Sequence, residues 1–277
     1  KIPVETPAST APTATEQPPT EPPTATLDVT ATPTPLPASP TPRPIPFDVG
    51  GEILSFDHLN TLLASDITWA KVRINWRLGN PVDSARLALE TVRASGMKVL
   101  LQIVGDPQEL GANRAAYLER FSAYLGEVAA LAPDAIEVWG EMNSESGWTP
   151  GQIDATAYAE MLRAAFAAIK RANPTVMVIS GALAQLPSFD DQCGPYGCDD
   201  LRYLEGMAAA GVGQSADCIG IPYTQGTVSP FTSVGDPRGD QFIYYYSTVV
   251  SVYAGIFPDK PLCFTRIGYL VPSDGSA

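Results

Sequence analysis

The stretch Ala135-Ile136-Glu137-Val138-Trp139-Gly140-Glu141-Met142-Asn143 carries two carboxylates, Glu137 and Glu141, at the end of an apolar run. Read as a strand, it alternates faces, so Glu137, Trp139 and Glu141 share one side. A carboxyl group at such a tip can take or give a proton to a bound molecule. The chain holds one histidine, His58. A Ser-His-Asp triad, a multi-histidine zinc site or an H-E-x-x-H helix would therefore have no other imidazole to use. His58 lies beside Asp57 at an expected helix start and reads as structural. Acid/base chemistry in this chain falls to carboxylates, and no cofactor or metal is expected.

Hydrophobic periodicity supplies the elements that position these groups. Apolar runs predict strands at residues 49–54, 69–76, 98–104, 135–143, 175–180, 218–223 and 261–267. Helical spacing predicts helices at 57–67, 81–97, 112–131, 154–172, 199–210 and 240–257. Strands alternating with helices imply a parallel sheet, and their even spacing favours a (β/α)8 TIM barrel over an open sheet. No G-x-G-x-x-G or P-loop follows a strand, which argues against the nucleotide-binding open folds. In a barrel of this kind the chemistry sits at the C-terminal tips of the strands, where Glu141 falls. The chain stops soon after the seventh strand, so the barrel is expected to be truncated there, within a domain spanning 47–277.

Residues 1–46 differ in kind. They hold 14 of the 27 prolines and 11 threonines. Such a segment lacks the apolar pattern needed to offset ordering entropy, and it reads as a disordered Pro/Thr-rich stalk or linker, extracellular and suited to a surface tether. No membrane span is recognisable. A net charge of −13 disfavours nucleic acid and anionic membranes as partners and suits neutral ligands. Of the four cysteines, Cys193 and Cys198 flank the turn Gly-Pro-Tyr-Gly and could close a small disulfide. By alternation Cys218 and Cys263 face the helix side, either as buried thiols or as a bridge.

The Trp139–Asn143 pentad resembles the W-N-E-P-N signature that ends the fourth strand in clan A glycoside hydrolases, which are (β/α)8 retaining enzymes such as β-xylosidases, glucanases and mannanases. Pro261-Leu262-Cys263-Phe264-Thr265-Arg266-Ile267-Gly268-Tyr269 resembles their strand-seven motif. Asp217-Cys218-Ile219-Gly220-Ile221-Pro222-Tyr223 resembles their strand six. The resemblance covers residues 47 to the end. It implies a carbohydrate ligand, with Glu141 as general acid/base and Arg73 matching the arginine that steadies the nucleophile. It also implies that Tyr223 faces the sugar and assigns Asn143 to substrate binding.

Two positions depart from the pattern. Gly140 stands where an asparagine ordinarily touches the sugar 2-hydroxyl, and Arg266 stands at the nucleophile. Retaining hydrolysis needs two carboxyl groups about 5 Å apart. An arginine cannot attack, since it stays protonated in proteins. The expected ground state is a Glu141–Arg266 ion pair at the cleft floor. Asp106 and Glu145 are the alternative acids for an inverting arrangement, which needs a gap of about 6.5–9.5 Å. Trp76, Trp139, Trp148 and Tyr223 are candidate sugar platforms, Trp148 foremost, and Phe264 is expected to share a face with Arg266 and fill the barrel. Two functions follow as expectations: a secreted or cell-surface glycosidase of carbohydrate metabolism impaired at Arg266, or a non-catalytic carbohydrate-binding pseudoenzyme. A surface interaction module without a sugar role is a third.

Overall fold

A computed structural model describes residues 47–186, 189 and 192–270. The 1–46 segment and the last seven residues, where the expectations of a stalk and of a truncated end fall, lie outside the described residues. Strands and helices alternate as follows: β1 (Gly50–Ile53), α1 (Leu59–Leu63), β2 (Trp69–Asn75), α2 (Asp83–Ala94), β3 (Lys98–Val104), α3 (Pro107–Ala112), α4 (Arg114–Ala130), β4 (Ala135–Val138), α5 (Ala155–Ala172), β5 (Met177–Ser180), α6 (Asp200–Ala209), β6 (Ile219–Gly226), α7 (Tyr246–Ile256) and β7 (Leu262–Tyr269). Helix starts are set by side chains that accept orphan backbone N–H groups. Asp106 opens α3, Asn113 opens α4, Asp154 opens α5 and Asp199 opens α6. The helix expected over 112–131 is α4, which begins after its Asn113 cap, and a separate short helix, α3, precedes it.

Strands β1 to β5 form one parallel sheet in chain order, and β6 pairs in parallel with β7. A parallel bridge from Ile179 to Cys218 joins the two groups. Side chains then link the ends of this run. Lys71 on β2 donates from Nζ to the carbonyl of Thr265 on β7 at 3.0 Å, and Arg266 on β7 pairs with Glu52 on β1. A flat sheet cannot bring its second and seventh strands together, so the sheet is curled on itself.

The curl creates two cores. The larger lies between strands and helices and includes Val72, Leu101, Ile136, Val178, Phe121, Leu125, Tyr158 and Leu162. The smaller is the barrel interior: Ala135, Ile179 and Cys218, against which Trp69, Leu100 and Cys263 pack. Cys218 and Cys263 are disulfide-bonded there, and Cys193 is bonded to Cys198.

This corrects the expectation that Cys218 and Cys263 face the helices. Cys218 alternates with Tyr223 as expected, but Tyr223 is the one that faces the helices. For Cys263 the cause is a register shift in the β6–β7 ladder, where Ile221 opposes Phe264 but Pro222 opposes Arg266. The extra residue is Thr265, a bulge that flips parity along the strand. Phe264, expected inside, stacks instead on Tyr246 of α7 with centroids 5.3 Å apart.

Candidate functional site

The strand tips enclose one polar pocket, and Arg73, Glu141 and Arg266 all line it. The alternation of β2 to β4 sends Lys71, Gln102 and Glu137 into the same space. Beneath the mouth lies a buried ion pair. Glu137 is fully buried, and its Oε2 stands 2.8 Å from Lys71 Nζ. Its Oε1 accepts from Thr265 Oγ1 at 3.0 Å and from the Ala182 N–H at 3.2 Å. Lys71, by also donating to the Thr265 carbonyl, ties β2, β4 and β7 into one network. Charges buried this deeply persist only when paired and hydrogen-bonded, and these are both.

Glu141 stands above this network. Strand β4 stops at Val138, and the next turns are left-handed at non-glycine residues, with φ of 72° at Trp139 and 58° at Glu141. Such conformations cost about 1–3 kcal/mol each and persist only where surroundings impose them. Here the Glu141 N–H donates to the Ala182 carbonyl at 2.7 Å, and the Glu141 carbonyl accepts from Ser144. Tyr158 braces the same corner, donating to the Val138 carbonyl at 3.0 Å and accepting from the Gly181 N–H at 2.6 Å. The twist breaks the alternation expected through residue 141. Trp139 is turned out of the pocket, edge-on to Tyr117, Phe121 and Trp148, while the Glu141 carboxylate opens into the pocket.

Arg266 meets Glu141 at 3.7 Å, Nη1 to Oε1, and meets Glu52 at 3.3 Å, Nε to Oε2. Its partial burial pulls the guanidinium pKa down. The hydrogen bond and charge of Glu52, then the charges of Glu141 and Glu137, outweigh that and hold it above its ordinary value. Arg266 is a permanent cation. Gly140 has a local reason: a Cβ there would stand 2.7 Å from Gln102 Nε2, which donates to the Trp139 carbonyl. The Gln102 amide occupies the space beside the acid, so an asparagine at 140 would have to displace it.

Four residues expected at the ligand are elsewhere. Trp76 is 3% exposed and packs among Tyr117, Phe121 and Tyr124. Arg73 points inward, and three residues on, alternation turns Trp76 outward. Trp148 is buried edge-on between Trp139 and Tyr158, and its Nε1–H donates to the Gln152 carbonyl. Asn143 spends its amide on the loops: Nδ2 donates to the carbonyls of Ala184 and Cys198 and to Asp200 Oδ1, and Oδ1 accepts from the Ala184 N–H. Tyr223 is buried outside the barrel against Tyr246 and Tyr269, and its neighbour Pro222 faces the pocket. None of the four lines the pocket.

The alternative acids are also elsewhere. Asp106 is occupied as the cap of α3 and in an ion pair with Arg77 at 2.6 Å, and Glu145 is exposed on its loop. Sequence reasoning missed Lys71, Gln102, Glu52 and the buried partner role of Glu137. The signal for Lys71 and Gln102 was there: each is a polar residue inside an apolar strand.

Neither a protein-family description nor a curated protein sequence matches the chain. Solved structures do. A glycosylated endo-β-1,4-xylanase from Gloeophyllum trabeum superposes with a TM-score of 0.50 at 11% identity, over 81% of this chain and 73% of that one. The catalytic domain of a hyperthermophilic chitinase from Pyrococcus furiosus gives 0.50 at 15% identity, over 82% and 77%. An endo-1,4-β-mannanase from Rhizomucor miehei gives 0.45 at 9% identity, and the chain spans 66% of its length. At these identities the likeness to the first two shows a shared barrel fold, on which many unrelated chemistries occur.

Proposed function

We propose that this chain is a saccharide-binding barrel of the clan A glycoside hydrolase type in which retaining hydrolysis is disabled at Arg266. One observation carries the reading: at the tip of β7 the group facing the acid Glu141 is a guanidinium, 3.7 Å away, not a second carboxylate. The retaining route needs a nucleophile on the anomeric carbon and a proton donor on the leaving oxygen. Glu141 can serve as the donor, held by its left-handed corner, but Arg266 has no electron pair to give. Glu137 does not replace it, because its carboxylate is buried and committed to Lys71 and Thr265.

Binding remains within reach of the site. Arg73, Gln102, Glu141 and Arg266 offer hydrogen-bond donors and acceptors in one concave space, as polyhydroxylated ligands require. The aromatic residues once considered as platforms belong to the core, so recognition rests on polar groups. The Pro/Thr-rich composition of 1–46 and two disulfides support an extracellular or surface-tethered setting for the barrel at 47–277. Among the described residues no helix is long and apolar enough to cross a membrane.

Calorimetric titration of the full chain with xylo-, gluco- and manno-oligosaccharides tests the reading, with chromatography of the same mixtures after a day. Saturable heat with the sugars recovered intact is the expected result. Absence of heat with every saccharide would remove the binding function, and cleaved products lost in Glu141→Gln would remove the disabled mechanism.

A further inference from the structure

The charges around the pocket are mostly spoken for. Lys71 is paired with Glu137, and Arg266 lies between Glu52 and Glu141. Arg73 is different. It lines the pocket from the tip of β2 and is exposed there, and its one side-chain hydrogen bond among the described residues runs from Nε to Asn75 Oδ1 at 3.1 Å. Among those residues it has no ion pair, so its two terminal NH2 groups are left without a carboxylate. Gln102 supplies a second unfilled valence. Its side chain is 6% exposed, its Nε2 is committed to Trp139, and its Oε1 is buried without a donor. Both residues line the same pocket.

A buried acceptor without a donor costs free energy unless a ligand or water provides one, and a sugar hydroxyl can. A guanidinium fork differs in its preference. A neutral hydroxyl engages one N–H, whereas a carboxylate takes two in parallel, with charge assistance. In the family pattern the partner for this arginine would be the nucleophile carboxylate, and position 266 here supplies a second cation instead. We propose that the saccharide bound by this pocket is acidic: a uronic acid residue whose carboxylate is held by the Arg73 fork and one of whose hydroxyls donates to Gln102 Oε1. This rests on the saccharide-binding reading above and adds the ligand class to it. A protein of net charge −13 repels an anionic ligand at long range, so the affinity must come from this local contact.

The test compares one sugar with and without its charge. Trigalacturonate, triglucuronate and trimannuronate are titrated calorimetrically into the full chain beside their methyl esters, with neutral trimers, a sulfated galactose trimer and acetate as further arms. At least one free acid should bind about tenfold or more tightly than its ester, the size expected for a charge-assisted pair of hydrogen bonds. Arg73→Gln should bring acid and ester to within about twofold of each other, whatever it does to the affinity they share. Arg73→Lys, which keeps the charge but not the fork, should lose most of the preference, and it serves if the glutamine variant does not fold. Equal binding of acid and ester, a preference that survives both substitutions, a stronger response to the sulfated trimer, or competition by acetate at the trimer's concentration would each overturn the acidic-saccharide proposal. Binding of neutral and esterified trimers alone would overturn it too, yet leave the saccharide reading standing. Silence from every sugar would end both.

Discussion

Arg266 stands between two carboxylates, with Nη1 3.7 Å from Glu141 Oε1 and Nε 3.3 Å from Glu52 Oε2, so one cation joins the tips of β1 and β7 to the turn after β4. The Arg266 and Glu141 side chains are 45% and 38% exposed, and solvent screens a pair of that kind to about 1 kcal/mol or less. Arg266→Ala and Glu141→Ala, alone and combined, should therefore show a coupling energy below about 1 kcal/mol in urea unfolding. A coupling above about 2 kcal/mol would make the pair a structural pin instead of a feature of the pocket.

The pair beneath it should behave in the opposite way. Lys71 and Glu137 are 7% and 0% exposed, so Lys71→Met strands a charge in the barrel and should cost about 3–5 kcal/mol. Replacing both, Lys71→Met with Glu137→Leu, should recover most of that loss. A single Lys71→Met variant as stable as the parent would show that the network contributes little to holding β2, β4 and β7 together.

Trp148 tests the reassignment of an expected platform to the core. It is 1% exposed between Trp139 and Tyr158. Trp148→Ala should lower stability by about 3–5 kcal/mol, the range for an emptied aromatic site. Saccharide affinity, measured well below the variant's melting temperature, should be kept. Lost affinity at unchanged stability would return Trp148 to the ligand.

Asp200 gives the fold a pH dependence. Burial pushes its carboxyl up to about 7. The Leu186 N–H and the Asn143 amide pull the other way, and neighbouring Asp199 adds to the rise. With an ordinary carboxyl near 3.9 in the unfolded chain, the folded state holds the extra proton between about pH 4 and 7. This contribution is therefore fully present below pH 4 and is lost as pH rises toward 7, at up to about 1.4 kcal/mol per unit. Asp200→Asn should remove that decline, so the stability difference between parent and variant should change across this window in urea titrations. A difference constant with pH would place the carboxyl in its ordinary range.

Much of the barrel was legible because its signals are local. The apolar run at 98–104 and the helical spacing over 154–172 match β3 and α5 within a residue or so, whereas the strand expected over 135–143 stops at Val138. The meeting of Glu141 with Arg266 was legible through the resemblance, which puts both at the tips of strands four and seven. What escaped was set by non-local geometry. Strand parity carried Lys71 and Gln102 inward, but only the curl of the sheet brings them against Glu137. A single bulge at Thr265 reversed the facing of Cys263 and Phe264, and nothing in the local pattern marks it. The left-handed corner at Trp139 turned an expected sugar platform into core, because the left-handed region is rarely populated by tryptophan and composition does not announce it. Asn143 was misread because its partners, Ala184, Cys198 and Asp200, lie more than forty residues away.

The central claim is that a cation at 266 is what separates this site from a retaining glycosidase. Its most direct test is proton NMR of nitrophenyl glycosides incubated with the parent chain and with Arg266→Glu, following the anomeric signal of the released sugar. The parent should release nothing, and the variant should release sugar with retained configuration through Glu141 and the new carboxylate. Turnover with retention by the parent that disappears in Glu141→Gln, or a silent Arg266→Glu that still binds saccharide, would contradict the account.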